Sequence, residues 1–207
     1  MVTRINTWKA IYLTSKNAVQ AVLESFINDL GKCVDAHRLE ELLRGSDTLK
    51  GSDVGSKPES WTRKHLIRKL LEVTGLEWEP EIYGKGEGYP DFGLTNLEVQ
   101  VIGEDKSINK IMEAEAEIKE YLNNKAASGG AEYGIATDGI EWVVYRIELG
   151  GDYLDYSKVA HVDLRDALQQ IARNRKYMTQ KSIVEVDVDK KLKSSLKSSQ
   201  SRTSITF

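Results

Sequence analysis

Two carboxylates and one ammonium group are spaced so that a folded sheet could bring them together. Asp91 follows Pro90 at the start of a short β-prone run, and Glu104 and Lys106 lie at the end of the next such run. Residues two apart on a strand point to the same face, so Glu104 and Lys106 share a face if the strand continues to Lys106. Asp91 comes opposite Glu104 if the chain folds back midway between them.

This trio has a plausible chemistry. Two carboxylates and an ammonium group that converge at a sheet edge are costly to desolvate without a purpose. A bound Mg²⁺ would offset the repulsion between the acids, because hard oxygen ligands suit this ion. Lys106 could then orient or help to deprotonate a water for attack on a phosphodiester. On spacing alone, Glu-Asp-Lys at the end of a strand is most often a solvated surface turn.

The elements that must position these residues follow from the apolar pattern. We predict helices over 1–45 (with a second, short helix over Ala36–Leu43), from Glu59 or Ser60 to Gly75, and over Asn109–Leu122 and Leu164–Tyr177. We predict strands over Leu76–Tyr83, Pro90–Leu94, Leu97–Glu104, Glu132–Thr137, Glu141–Glu148 and Ser182–Val188.

Two of these predictions rest on strong local patterns. Leu97–Glu104 alternates apolar and polar residues, as a half-buried strand does. Asp138-Gly139 between two apolar runs is typical of a hairpin turn. The resulting order of helix, three strands, helix and two strands predicts a mixed α/β sheet flanked by helices, with at least one crossover helix.

Composition shifts divide the chain into four segments. Residues 1–45 form a helical accessory segment, and the Gly-, Ser- and Asp-rich stretch 46–58 is predicted as a linker. Residues 59–188 contain the α/β domain with the acids. Residues 189–207 form a basic Ser/Lys-rich tail with no means of burying a core.

The charge distribution is uneven. The chain has 29 basic and 32 acidic residues, a net charge of −3. The stretch 190–207 contributes five basic residues and no acid, which leaves −8 for the rest. An acidic body could gather carboxylates around a metal while the tail meets a polyanion. The other interpretation is a solvated tail without a partner.

Several classes of protein are excluded by composition. A single cysteine, Cys33, excludes an internal disulfide and a cysteine-based zinc site. The three histidines are too dispersed for a short zinc motif. No apolar run approaches the length of a membrane helix, and no signal peptide is evident. We therefore expect a cytoplasmic protein without a membrane partner.

The order of these motifs resembles the PD-(D/E)xK nuclease superfamily, the restriction-endonuclease-like fold. Pro90-Asp91 followed by Glu104-x-Lys106 matches its signature. Glu59-Ser-Trp-Thr-Arg63, with the apolar residues after it, is similar to the opening helix of the nuclease domain in type I restriction-enzyme R subunits. Glu117-Ile-Lys-Glu-Tyr121 lies where that family has a Gln-x-x-x-Tyr helix, and Gly134–Gly139 with Trp142 resembles its following hairpin.

The resemblance implies roles for individual residues. Asp91 and Glu104 would bind the metal, Mg²⁺ with Mn²⁺ as a substitute, and Lys106 would serve the attacking water. Glu59 would be the first-helix acid that supports the metal site in some members. Tyr121 would face the substrate or brace the site. Glu117 replaces the family's glutamine, which changes a possible substrate-facing contact from donor to acceptor.

Two alternatives concern the site itself. Glu98 and Gln100 form a rival pair on the predicted strand, since some superfamily members have Gln in place of Lys. We prefer Glu104 and Lys106, which keep the lysine and stand at the expected distance before Tyr121. Lys85, in the glycine-rich loop Gly84–Gly88, either contacts a DNA phosphate or belongs to a mobile loop.

The expected function is a metal-dependent DNA endonuclease in restriction of foreign DNA, alone or within a larger complex, with a homodimer implied by the resemblance. One alternative is a catalytically silent nuclease-fold module that binds DNA or assembles a restriction-type complex. The other is an interaction protein whose partner surface lies on residues 1–45.

Overall fold

A six-stranded mixed sheet forms the centre of the computed structural model, which describes residues 2–80, 89–123, 130–150 and 153–178. The strand order is β1-β2-β3-β4-β5-β6. The strands are β1 (Trp78–Pro80), β2 (Phe92–Leu94), β3 (Val101–Asp105), β4 (Tyr133–Thr137), β5 (Glu141–Gly150) and β6 (Tyr153–Asp163). β3 and β4 run parallel, and every other neighbouring pair is antiparallel.

Helices cover both faces of the sheet. They are α1 (Val2–Cys33), α2 (Ala36–Arg44), α3 (Gly51–Val54), α4 (Pro58–Thr62), a π-helical turn (Arg63–Ile67), α5 (Arg68–Val73), α6 (Ile111–Asn123) and α7 (Arg165–Asn174). Helix α6 is the crossover between the parallel strands β3 and β4. The predicted fold class, a mixed sheet flanked by helices with a helical N-terminal extension, is confirmed.

Successive residues of β3 serve two different cores. Val101 packs with Ile67 and Leu71 on the side of helices α4 and α5. Ile102 packs with Ile118 on the side of α6. We call these two sides the α4 face and the α6 face. Because side chains alternate along a strand, Asp105 continues the α4 face and Glu104 continues the α6 face.

The N-terminal helices share a hydrophobic core with later elements of the fold. Asp35 caps α2 through a hydrogen bond from the Arg38 backbone N–H, and Gly45 ends it with a positive φ of 77°. The fully buried residues of this core on α1 and α2 are Phe26, Ile27, Leu30, Leu39, Leu42 and Leu43. The same core includes Trp61, Leu66 and Leu168. The helical accessory segment is therefore in direct contact with the α4 and α7 regions.

The stretch 46–58, predicted as a linker, includes helix α3 and buries Leu49. Arg38 reaches this stretch through its guanidinium, which donates to Asp47, Asp53 and the backbone oxygen of Thr48. The domain boundaries at 45 and 58 remain predictions.

The helix predicted from Glu59 or Ser60 to Gly75 forms as three continuous segments, α4, the π-helical turn and α5. Pro58 is the first helical residue, where its missing N–H costs nothing. Gly75 follows the last turn with a φ of 79°. Sequence periodicity gave no sign of the π-helical turn, a feature often found at functional sites.

The prediction of a strand from Leu97 to Gln100 is wrong. β3 begins only at Val101, which pairs with Leu94 at the end of β2. Residues 95–100 must therefore connect the two strands. Leu97 and Val99 are 40% and 39% exposed, so their alternation with polar residues reflects an exposed connection and not a buried strand face.

The C-terminal half differs from prediction by one strand. The hairpin β4–β5 around Asp138-Gly139 is confirmed, with Gly139 at a φ of 84°. Strand β6, which pairs with β5 along its length, was not predicted. Among the described residues it lies at the edge of the sheet, and Val159 is 43% exposed, so its apolar pattern is weak. Helix α7 lies within the predicted range Leu164–Tyr177.

Three predicted features fall outside the described residues: the glycine-rich loop with Lys85, the strand Ser182–Val188 and the basic tail 189–207. Among the helices of the described ranges, none is long and apolar enough to cross a bilayer.

Candidate active site

The pairing of β2 with β3 brings Asp91 and Glu104 to the same end of the sheet. Phe92 pairs with Gly103, so Asp91 and Glu104 are the next residues along each chain. A Cβ at Gly103 would overlap the Phe92 ring, which explains a glycine at this position. The Asp91 carboxylate also accepts a hydrogen bond from the Asp105 backbone N–H at 3.1 Å. The chain reversal expected between the two acids is therefore present.

On the α6 face, one lysine joins two acids. The Lys106 Nζ contacts Glu104 Oε1 and lies 2.7 Å from Glu117 Oε2 on helix α6. One turn later on α6, the Tyr121 hydroxyl lies 3.5 Å from the same Glu117 oxygen. Glu104, Lys106, Glu117 and Tyr121 are thus neighbours. The carboxylate at position 117 serves as an acceptor for the lysine, a contact that sequence reasoning did not identify.

The backbone of Lys106 is fixed by the neighbouring hairpin. Its N–H donates to the Thr137 oxygen at 2.9 Å. Three residues later, Asn109 adopts a positive φ of 67° and donates from its backbone to Asp138 Oδ2. The Asn109 side-chain amide donates to the backbone oxygens of Leu42 and Asp47. The β3–α6 connection that carries the lysine is therefore tied to both the hairpin and the N-terminal helices.

On the α4 face, one arginine joins two aspartates. Arg63 Nη2 lies 2.6 Å from Asp91 Oδ1, and Arg63 Nε lies 2.6 Å from Asp105 Oδ2. Glu59, one turn earlier on α4, lies 3.7 Å from the same guanidinium. Carboxylate oxygens of Glu59, Asp91 and Asp105 all lie within 4.8 Å of one another. Three acids therefore meet around one arginine in the π-helical turn.

Burial makes these acids difficult to ionise. Burial, together with the charge of Asp91, raises the pKa of Glu104 well above its ordinary value, and the Lys106 hydrogen bond only partly opposes this. Burial raises the pKa of Asp105 to about 7 against the opposing effect of Arg63. Burial also raises the pKa of Glu59, and the Asp91 charge adds to it. A site with several reluctant acids favours a bound cation or proton.

The pKa values of Lys106 and Glu117, by contrast, shift in the directions that favour their charged forms. Burial alone would lower the pKa of Lys106, but the hydrogen bonds that it donates to Glu104 and Glu117 outweigh burial and raise the pKa. Glu117 is partly buried, yet its hydrogen bonds with Glu104 and Lys106 lower its pKa. Burial and the nearby acids raise the pKa of Tyr121, which remains a neutral hydroxyl at neutral pH.

The donor set fits a hard divalent cation. Glu104 is 2% exposed and Asp105 is fully buried. Glu104 Oε2 and Asp105 Oδ1 are buried, and neither has a hydrogen-bond partner among the described residues. Buried carboxylate oxygens without a donor are costly, whereas carboxylates are the ligands that Mg²⁺ and Mn²⁺ prefer. The acids at this end of the sheet could therefore hold a metal ion.

The structure separates the two candidate pairs, Glu98 with Gln100 and Glu104 with Lys106. Glu98 and Gln100 lie in the β2–β3 connection, whereas Asp91 lies at the opposite end of β2. Glu98 is exposed. A site that combines Asp91 with Glu98 would have to span the length of the hairpin, so the geometry favours Glu104 and Lys106.

Sequence reasoning missed two residues of this cluster. Asp105 and Arg63 are not among the predicted site residues: alternation along the strand directs Asp105 away from Glu104, and Arg63 lies on a separate helical segment. The signal that could have found them is the presence of an acid inside the Glu-x-Lys triplet. A buried acid on the second face of the strand requires a cationic partner, which Arg63 supplies from the π-helical turn.

One curated relative places the chain in a biological context. A Methanocaldococcus jannaschii protein, provisionally named a type II restriction enzyme and methyltransferase, is 30% identical over 151 residues. The alignment covers 67% of this chain but only 12% of the relative. No protein-family model matches the chain, and no solved structure is significantly similar to it. The comparison relates this chain to a segment of a restriction-system protein.

Proposed function

We propose that this protein is a metal-dependent DNA endonuclease of the PD-(D/E)xK type. The observation that carries the proposal is the arrangement at the end of β3: Asp91 adjoins Glu104 across the β2–β3 pair, and Lys106 Nζ contacts Glu104. An acid pair with an adjacent lysine is the group that hydrolysis of a phosphodiester requires, with acids to hold a cation and a base or orienting group for water.

Asp91 and Glu104 would hold the divalent cation, Mg²⁺ or Mn²⁺. When bound, the cation supplies positive charge for the phosphate oxygens as negative charge develops on them. Lys106 orients the attacking water through Nζ, whose position is fixed by Glu104 and Glu117. Glu104 and Glu117 each accept one hydrogen bond from the lysine, which leaves its third N–H for water.

Glu59 and Tyr121 support this site from two helices. Glu59 adds a third negative charge close to Asp91. Tyr121 braces Glu117 from the buried side of α6. We propose that the exposed edge of Glu117 and, outside the described residues, Lys85 meet the substrate backbone.

The name of the relative supports a proposal for the biological role. Its name refers to a restriction enzyme and methyltransferase, so we propose that this chain cuts foreign DNA in the cytoplasm within a restriction system. The similarity of its motifs to the nuclease domain of type I R subunits supports residues 59–188 as the nuclease part. A homodimer or a larger complex would place two such sites on the two DNA strands.

A second candidate function has one specific observation in its favour. Glu117 stands in place of the family's glutamine and engages Lys106 directly. A lysine held between two carboxylates could be a structural ion network, in which case the domain binds DNA or assembles a complex without cutting. The two functions differ in metal-dependent activity.

The test is cleavage of supercoiled plasmid by the full chain in Mg²⁺, in Mn²⁺ and in EDTA. We expect nicked and linear products with either metal and none with EDTA. Asp91→Ala and Glu104→Ala should abolish cleavage, whereas Glu98→Ala should retain it.

Each alternative predicts a different pattern. Cleavage that survives Glu104→Ala but not Glu98→Ala would move the site to the β2–β3 connection. DNA binding without cleavage of any plasmid would support the silent module instead. Metal-independent cleavage would contradict both functions.

A further inference from the structure

We propose that Arg63 is the built-in cation of the Glu59–Asp91–Asp105 cluster, and that its guanidinium keeps a divalent metal from binding on the α4 face of β3. This inference rests on the proposed function for the metal at Asp91 and Glu104. It adds a second potential metal site, held closed by an arginine.

The Arg63 guanidinium lies among the three acids, where a shared metal ion would lie. Arg63 joins Asp91 and Asp105 through two different nitrogens, each 2.6 Å from a carboxylate oxygen. Glu59 lies 3.7 Å from one of these nitrogens. The three acids offer oxygens within 4.8 Å of one another, which is close enough to share one ion. The planar guanidinium has N–H donors in fixed directions and can bind two carboxylates at once. A lysine ammonium lacks this fixed geometry.

An unsatisfied oxygen points to a ligand beyond the arginine. Asp105 is fully buried, and its Oδ1 has no hydrogen-bond partner among the described residues. The guanidinium uses only Oδ2 of this carboxylate. One positive charge therefore faces three carboxylates and leaves one buried oxygen open, whereas a divalent cation could engage all three acids.

The location explains why the arginine matters for the reaction. Asp91 is shared: its Oδ1 binds Arg63, and its side chain also lies beside Glu104 on the other face of β3. With Arg63 in place, Asp91 is held for a metal on the α6 face, next to Glu104 and Lys106. Arg63 is thus a positioning residue, and its loss would open a competing metal site at Glu59, Asp91 and Asp105.

The experiment counts Mn²⁺ bound to the full chain without DNA, by isothermal titration calorimetry and by electron paramagnetic resonance of free Mn²⁺. The variants are Arg63→Met, Arg63→Lys and the double variant Arg63→Met with Asp105→Asn. Arg38→Met is the matched control, because Arg38 also joins several acids but lies in the N-terminal region. Thermal unfolding in a MnCl2 series is recorded in parallel.

We expect Arg63→Met to bind one more Mn²⁺ than the wild type, or to bind Mn²⁺ on the order of tenfold more tightly. Its melting temperature should also rise more steeply with MnCl2. The double variant and Arg38→Met should show neither gain. Folding of Arg63→Met only in the presence of MnCl2 would equally support the proposal.

Other results would overturn it. A folded Arg63→Met with wild-type Mn²⁺ stoichiometry and affinity contradicts a closed site, as does an equal gain in the double variant. If Arg63→Met is unfolded at every MnCl2 concentration, Arg63→Lys decides: a single ammonium cannot hold both aspartates, so unchanged Mn²⁺ binding rejects the proposal. Since these readouts need no DNA, a gain in Arg63→Met beside a wild type that never cleaves plasmid would reject the nuclease function alone.

Discussion

Two regions of this protein each hold several acids close together, and they neutralise these acids in different ways. In the N-terminal region, Arg38 lies 2.6 Å from Asp47, 2.8 Å from Asp53 and 3.2 Å from Glu41. We call these four residues and Lys50 the cap network. The site network contains Arg63, Lys106 and the acids Glu59, Asp91, Glu104, Asp105 and Glu117. Each network places one arginine and one lysine among several carboxylates.

The cap network completes its own hydrogen bonds. Asp53 accepts from the Lys50 backbone N–H as well as from Arg38, and these bonds outweigh partial burial and lower its pKa. Asp47 accepts from Lys50, from the Thr48 backbone and from Arg38, and its pKa falls well below the ordinary range. This is the behaviour of a structural ion network.

The site network leaves its hydrogen bonds incomplete. Glu104 and Asp105 are each buried with one oxygen that lacks a partner among the described residues, and their pKa values rise. This difference indicates that a cluster of charged residues alone does not identify a metal site. Buried oxygens that the fold does not satisfy are the feature that distinguishes the two networks.

The largest expected difference concerns matched aspartates. Asp91→Asn keeps the size of the side chain but removes a proposed metal ligand, so cleavage should fall to below about one-hundredth of the wild-type rate. Asp53→Asn makes the same chemical change in the cap network and should leave the rate within about twofold. Plasmid cleavage rates of equally folded variants measure both. Comparable losses of cleavage rate in the two variants would contradict the proposed difference between the two networks.

The two lysines provide the next test. Lys106→Met removes the proposed orienting group and should slow cleavage by about 10²–10⁴-fold while Mn²⁺ binding persists. Lys50→Met removes an exposed partner of Asp47 and should leave cleavage unchanged. Single-turnover rates and calorimetric Mn²⁺ titrations separate the two effects. Loss of Mn²⁺ binding in Lys106→Met would show that the lysine acts on the fold of the site and not on the water.

The two arginines differ in their effect on stability. Arg63→Met strands the buried Asp105 carboxylate, and breaking a buried ion pair costs about 3–5 kcal/mol. Arg38→Met strands carboxylates that are more exposed and have other donors, so the loss should be smaller. Urea unfolding without metal measures the two free energies of unfolding. An equal or larger loss in Arg38→Met would contradict the distinction in burial.

The smallest effect is a difference in the sign of pH dependence. Burial raises the folded pKa of Asp105 to about 7, so its contribution to stability falls as pH rises from about 4 to about 7. The folded pKa of Asp53 is lowered, so its contribution is present above its unfolded pKa and is lost as pH falls through the folded value.

Urea unfolding between pH 3 and pH 8 measures this difference. Relative to the wild type, Asp105→Asn should gain stability as pH rises toward 7, whereas Asp53→Asn should lose stability as pH rises above its folded pKa. Slopes of the same sign in the two variants would show that the networks do not differ in the proposed way.

Much of the fold could be predicted because its signals are local. Asp138-Gly139 specifies a hairpin turn, and the stripe of Leu66, Leu70 and their neighbours specifies a helix. The alternation at Leu97–Gln100 misled because periodicity carries no information about whether a partner strand is present. Strand β6 was missed for the related reason that a polar edge strand has little apolar pattern to detect.

The candidate site was predictable only in part. Asp91, Glu104 and Lys106 share a strand pair, so register brings them together from short-range spacing. The contacts of Asp105 with Arg63 and of Lys106 with Glu117 join a strand to separate helices. Such contacts depend on how the helices pack on each face of the sheet, which the spacing of residues along the chain does not specify.

We propose that the site network, and not the cap network, holds a metal ion. Bound Fe²⁺ with ascorbate and peroxide cuts a polypeptide next to the ion, so it can map the position directly. We predict backbone cuts near Asp91 and Glu104 that excess Mg²⁺ suppresses and that Asp91→Asn removes. Cuts near Asp47 and Asp53, or cuts near Asp91 that Mg²⁺ leaves unchanged, would contradict a metal ion in the site network.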